Sequence, residues 1–237
     1  MKINTQLVHV GVGSDAKTGA ITTPIYQSAT FRHPALGQST GFDYSRTQNP
    51  TRKVLEEAMA VLEGGSDGFA FASGMAAITA VLMLFKTDDH IVVVEDCYGG
   101  TYRILDKVFT NFGLKVSFVD ATCLDEIENS LTPSTRCILI ETPTNPLMKI
   151  VDIRAIVEMA KKKDIYVVVD NTFLTPYLQR PLELGADLVV HSATKYLAGH
   201  NDVICGLVVS RNKQLGERIR FIQNSTGGIL GPNDSWL

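Results

Sequence analysis

The chain has 237 residues, of which 45% are hydrophobic and 20% charged, with a formal net charge of −3. A chain of this length buries about 70–75% of its unfolded surface, so a large core is available, while the charge gives no pull toward nucleic acid or anionic lipid. The longest apolar stretch, "MAAITAVLMLF", is shorter than the roughly 20 residues that cross a bilayer, and "MKINTQLVHV" lacks the apolar centre of a signal peptide. The expectation is a cytoplasmic protein whose partners are small molecules or copies of itself.

Residues 1–48 are rich in Gly, Thr, Ser, Gln and Pro without sustained periodicity, and read as an extended arm. Within it "GVGSDA" formally matches a dinucleotide-binding G-x-G-x-x-A. The following "KTGAITTP" cannot open an apolar helix, and no acidic strand end follows at the right distance, so that reading fails on context. Residues 49–237 form a second region that opens with the helical pattern "TRKVLEEAMAVLE". From about residue 68, short apolar runs alternate with helical patterns: "GFAFA", "HIVVVE", "KVSFV", "RCILIE", "IYVVVD", "DLVVHS" and "CGLVVS". This predicts an α/β fold with a mainly parallel sheet of seven strands covered by helices. In "VDIRAIVEMAKKKD", Asp152 can cap a helix with an apolar stripe of Ile153, Ile156, Val157 and Ala160, and the lysines suit its negative C-terminal end. Cys97, Cys123, Cys137 and Cys205 form no C-x-x-C pair, which points to reduced thiols and away from a zinc site.

In an open parallel sheet, ligands bind beyond the C-terminal ends of the strands. There "ILIETPTNP" delivers Glu141 and Asn145, "YVVVDNTF" delivers Asp170, and "LVVHSATK" delivers Ser192, Thr194 and Lys195. The first strand runs through Ser73, Gly74 and Met75 into an apolar helix, where backbone amides at a positive helix end can hold an anion. The second adds the aromatic face of Tyr98 beside two glycines, in "DCYGGTYR". Singly, these are a turn former, a helix cap, a packing ring and a surface charge. Together they offer an anion cradle, an aromatic plate, an acid and an amine, a set suited to pyridoxal 5'-phosphate (PLP).

At these residues the chain resembles the PLP-dependent trans-sulfuration enzymes of cysteine and methionine metabolism. The matching segments are "TPIYQSATF", "YSRTQNPTR", "FASGMAAI", "YGGTYR", "ETPTNP", "VVVDNTF", "RPLELGADLVVHSATKYLAGHND" and "GPNDSWL". The resemblance implies a fold type I, aminotransferase-like large domain. It also implies Lys195 as the lysine that condenses with the cofactor aldehyde, Asp170 as partner of the ring nitrogen, and Tyr98 as the stacking ring. Gly74, Met75, Ser192 and Thr194 would surround the phosphate and Asn145 would lie near the ring oxygen. Tyr44 and Arg46 would reach the phosphate of a neighbouring subunit, which implies a homo-oligomer, dimer or tetramer, with Tyr44 also near the reacting centre. Gly100 stands where methionine gamma-lyases usually carry a cysteine. The stretches "FRHPALGQSTGFDYSRTQNPTR" and "GHNDVICGLVV" look most like bacterial cystathionine gamma-synthases that also act as O-acetylhomoserine thiolases. Gamma-replacement on an O-acylhomoserine by a thiol is therefore the first expectation, with a cystathionine beta- or gamma-lyase as the alternative. The family continues past "GPNDSWL" into a smaller C-terminal domain that supplies an arginine for the substrate carboxylate, whereas this chain stops at Leu237. A large domain without its smaller partner is thus expected, and a non-catalytic remnant of the fold is the reading from another class.

Overall fold

Valine-rich runs bounded by turn residues become the strands of one twisted sheet in this computed structural model, which describes residues 1–13 and 15–237. Ser14 of "GVGSDA" lies outside the described residues. The seven strands are β1 (Asp67–Phe71), β2 (His90–Val94), β3 (Lys115–Val119), β4 (Thr135–Glu141), β5 (Tyr166–Asp170), β6 (Leu188–Ser192) and β7 (Gly206–Ser210). Their order is β1-β7-β6-β5-β4-β2-β3, and only β7 runs antiparallel to its neighbours. The central strands are covered on both faces, and so read as continuous apolar runs rather than alternations: every residue of β2 is buried, as are Val167, Val168 and Val169 of β5.

The covering helices start and stop where their sequences dictate. Helix α1 (Ile3–His9) lies in the arm. Helix α2 (Pro50–Glu63) has Pro at its first position, an Asn49 side chain accepting from Thr51 N and Arg52 N, and a left-handed Gly64 at its end. Helix α3 (Gly74–Leu82) is capped by the Ser73 hydroxyl, which accepts from Ala76 N at 3.1 Å. Then come α4 (Gly99–Lys107), a short 3₁₀ turn (Phe109–Phe112) and α5 (Leu124–Ser130). In α6 (Ile153–Lys161) Asp152 is the cap, and the buried face is the stripe read from the sequence: Ile153, Ile156, Val157 and Ala160. Helix α7 (Thr175–Leu178), α8 (Lys213–Thr226) and α9 (Pro232–Trp236) complete the chain. Among the helices, α3 touches α4 and α8, α5 touches α6, and α2 touches α7.

Helix α1 was not expected from the sequence. It spans seven residues, has no capping side chain and buries none of its side chains, so it has no periodic stripe to betray it. Cys97, Cys137 and Cys205 are buried free thiols and Cys123 is an exposed one. Among the described residues no helix is long and apolar enough to cross a membrane.

Candidate active site

Strands β4, β5 and β6 are immediate neighbours, so their C-terminal ends form one rim. The register pairs Glu141 with Asp170 and Asp170 with Val190, and Ser192 lies two residues further along β6. Residues two apart on a strand share a face, so Glu141, Asp170 and Ser192 point to the same side of the sheet. Between them sits Thr172, whose hydroxyl accepts from Ser192 N at 2.8 Å and donates to Asp170 Oδ1 at 2.5 Å; Thr172 N also donates to that oxygen, at 3.0 Å. Sequence reasoning passed over Thr172. The available signal was its place two residues after a strand-end aspartate, the spacing of an Asx turn.

The β1–α3 turn lies directly against this rim. A β-carbon added to Gly74 would stand 2.8 Å from Ser192 Cβ and 3.0 Å from its Oγ, so only glycine lets the amide end of α3 come this close to the Ser192 hydroxyl. That hydroxyl makes no hydrogen bond among the described residues. Thr194 differs: its hydroxyl donates to Cys205 O at 3.2 Å and accepts from Cys205 N at 3.0 Å, which ties the loop after β6 to the start of β7. Lys195 is exposed, and among the described residues its ammonium has no ion-pair or hydrogen-bond partner.

On the other flank, Tyr98 N donates to Glu141 Oε2 at 2.8 Å, and the half-exposed Tyr98 ring reaches toward Met75. Gly100 makes that approach possible, because a β-carbon there would lie 2.5 Å from Tyr98 Cε1 and 2.8 Å from Met75 Sδ. Asn145 is exposed on the loop after β4 and its side chain makes no hydrogen bond among the described residues. Tyr44 and Arg46 stand apart from the rest: the guanidinium lies 5.3 Å from the Tyr44 ring centroid and donates to Asn224 O near the end of α8. Among the described residues no hydrogen bond, ion pair or ring contact joins either one to Ser192, Thr194 or Lys195.

Burial pushes the Asp170 carboxyl above the ordinary aspartate range, against the two Thr172 donors and the nearby His191, which pull it down. Burial also pushes Glu141 up to about 8, with the charges of Asp170 and Asp96 adding to the rise and the Tyr98 N–H opposing it. Two half-buried carboxyls side by side on adjacent strands call for a positive group, and a protonated ring nitrogen is one. A free amine, an uncommitted hydroxyl and a helix amide end complete a donor set that fits PLP.

A profile of the Cys/Met metabolism PLP-dependent enzymes matches residues 4–237. The chain belongs to this family. PLP is the family's cofactor, and the fold is that of the fold type I, aminotransferase-like enzymes. The chain is 56% identical over 237 residues to a cystathionine gamma-lyase of Bacillus subtilis, covering 100% of this chain and 62% of that one. It is 50% identical over 235 residues to a cystathionine gamma-synthase/O-acetylhomoserine (thiol)-lyase of the same organism, covering 99% of this chain and 63% of that one. The crystal structure of a Lactobacillus plantarum cystathionine gamma-lyase complexed with L-serine superposes with a TM-score of 0.97 at 52% identity, over 100% of this chain and 62% of that one. The chain thus spans somewhat less than two thirds of the length of these relatives.

Proposed function

We propose that these residues form the cofactor half of a trans-sulfuration active site acting at the γ-carbon of a sulfur-linked or O-acylated amino acid. The observation that carries the reading is the juxtaposition on three adjacent strands of paired carboxyls, a free hydroxyl beside a helix amide end, and the unpaired Lys195 amine. Lys195 would hold the cofactor covalently, and its amine would take and return a proton at the substrate α-carbon. Asp170 would pair with the ring nitrogen, Tyr98 would stack on the ring, and Asn145 would hold the ring oxygen. The Gly74 and Met75 amides with the Ser192 hydroxyl hold the phosphate; Thr194 joins them if its bond to Cys205 opens. Tyr44 and Arg46 serve the phosphate of a neighbouring copy in a homo-oligomer, where a guanidinium fork suits phosphate. PLP, when bound, supplies an electron sink beside the substrate's amine-bearing carbon.

Replacement of an acyl group by cysteine or another thiol is the first reading, on the arm and "GHND" segments. Cleavage of cystathionine is the second, favoured by the 56% identity to a gamma-lyase. Loaded with PLP, the purified protein should show a yellow absorbance band that borohydride abolishes and Lys195→Ala prevents. A colourless protein with no lysine adduct by mass spectrometry overturns the proposal. Product analysis with O-acetylhomoserine plus cysteine, against cystathionine alone, separates the two reactions.

A further inference from the structure

Glu141 is one of the paired carboxyls of the rim but has no task of its own so far, and its surroundings are unusual. The register sets it beside Asp170 on the neighbouring parallel strand, where backbones are about 4.8 Å apart and paired side chains leave the same face. Both carboxyls line a cleft of about 10 Å³, room for one water molecule, walled by Ile78, Cys97 and Thr101. Glu141 Oε2 is taken by the Tyr98 N–H, and Oε1 makes no hydrogen bond among the described residues. The charged groups that act on Glu141 are Asp170 and Asp96, both acidic, and the Cys97 thiol is kept neutral by burial and by Glu141 itself, pushed up to about 12. Burial raises Asp170 as it raises Glu141, but the groups opposing it are more numerous: two Thr172 donors and His191, whose Nε2 lies 2.6 Å from Glu63 on the opposite face of the sheet, favour its charged form, whereas Glu141 has the Tyr98 N–H alone.

We propose that Glu141 is a positioning residue that anchors Tyr98 through its backbone amide and holds the one proton of a Glu141–Asp170 pair. The site then presents a single negative charge, on Asp170. Its value to the ring nitrogen rests on the cofactor reading above; the pair and the anchor do not. An ionised Glu141 would put a second negative charge in the same cleft. A neutral one still accepts the Tyr98 N–H with Oε2 and leaves Asp170 as the one charge of the pair. Tyr98 needs such an anchor, since its ring is 51% exposed and gains little from packing.

The test is a carbon-13 NMR titration of the purified chain, labelled at the glutamate carboxyls and free of cofactor, with amide hydrogen exchange on the same samples. One glutamate should titrate near pH 8, be missing from Glu141→Gln, and move down by about 1 unit or more in Asp170→Asn, which removes the neighbouring charge. The Tyr98 amide should stay protected in wild type and in Glu141→Gln, which keeps an acceptor, and exchange about tenfold faster in Glu141→Leu, which has none. PLP affinity should follow the same split, kept in the glutamine variant and lost in the leucine one. A Glu141 midpoint in the ordinary glutamate range, or one that Asp170→Asn leaves in place, overturns the shared proton. Equal Tyr98 exchange in the glutamine and leucine variants overturns the anchor. Should wild type fail to bind PLP, the titration and exchange results still decide the pair.

Discussion

Gly206 is the most demanding glycine at the site. It opens β7, pairs with Phe71 on one side and Ser192 on the other, and lies under the β1–α3 turn. A β-carbon there would collide with the Ser73 carbonyl oxygen and stand 2.8 Å from Gly74 N, and backbone cannot rotate aside as a side chain can. In Gly206→Ala the turn must rise by about an ångström, at the roughly 1–3 kcal/mol typical of overpacking. The rise lifts the Gly74 amide away from the Ser192 hydroxyl, so PLP affinity should fall at least about tenfold, or ~1.4 kcal/mol. Gly100→Ala makes the contrast. Its obstacles are Tyr98 Cε1 at 2.5 Å and Met75 Sδ at 2.8 Å, the ends of side chains that can swing into solvent. Stability should then change by less than about 1 kcal/mol, while displacement of the ring costs about 3- to 10-fold in PLP affinity. Urea unfolding gives the stability change and an absorbance titration the affinity. Wild-type behaviour of Gly206→Ala in both assays, or a Gly100→Ala protein as unstable as Gly206→Ala, would refute the reasoning.

The buried Glu63–His191 pair should couple strongly. Glu63 Oε1 lies 2.6 Å from His191 Nε2 and accepts from Asn171 Nδ2 at 3.1 Å, with all three residues wholly buried. Glu63→Leu or His191→Leu alone should cost about 3–5 kcal/mol in urea unfolding, and the double variant much less than the sum; additive losses would count against the pairing. At the opposite end of the sheet, His90 Nδ1 lies 2.8 Å from Thr135 Oγ1 and Nε2 3.0 Å from Ser117 Oγ. Burial, and secondarily Lys115, hold this imidazole below the usual histidine range. Its unfolded form therefore binds the proton first as pH falls, so its contribution to stability is full above about pH 6.5 and lost below that. The stability gap between wild type and His90→Gln should shrink from pH 7 to pH 5, and a constant gap contradicts the assignment.

The sheet is legible because its strands are buried on both faces and carry unbroken apolar runs; the rim is legible because each run ends on a polar residue. What joins the rim residues is harder to read. Thr172 connects Asp170 to Ser192 through a hydroxyl that looks in sequence like any turn threonine. Glu63 and His191 are 128 positions apart, and nothing local marks either as half of a pair. The Tyr98 anchor on Glu141 spans 43 positions, and the sequence offers only a strand-end acid beside the better-placed Asp170. These links depend on strand order and register, which periodicity does not encode.

The arm shows the same division between motif and mounting. "YSRTQNPTR" announces Tyr44 and Arg46, but Arg52 is the residue that sets their backbone, donating to Ser45 O at 2.7 Å and Arg46 O at 3.3 Å while only 1% exposed. Its guanidinium lies 3.4 Å from Glu56, whose Oε1 also accepts from Ala70 N at 2.9 Å. Gln223 of α8 closes the knot by donating to Ala70 O at 2.9 Å. A buried cation on two carbonyls and a carboxylate is costly to leave half-made, so this knot fixes the arm to β1 and α8 as one body. Strand β1 ends in the Ser73–Gly74 turn, so the arm's Arg46 and that turn are braced from a single strand. A disturbance of Arg52 therefore reaches both the Ser73–Gly74 turn and the Arg46 guanidinium.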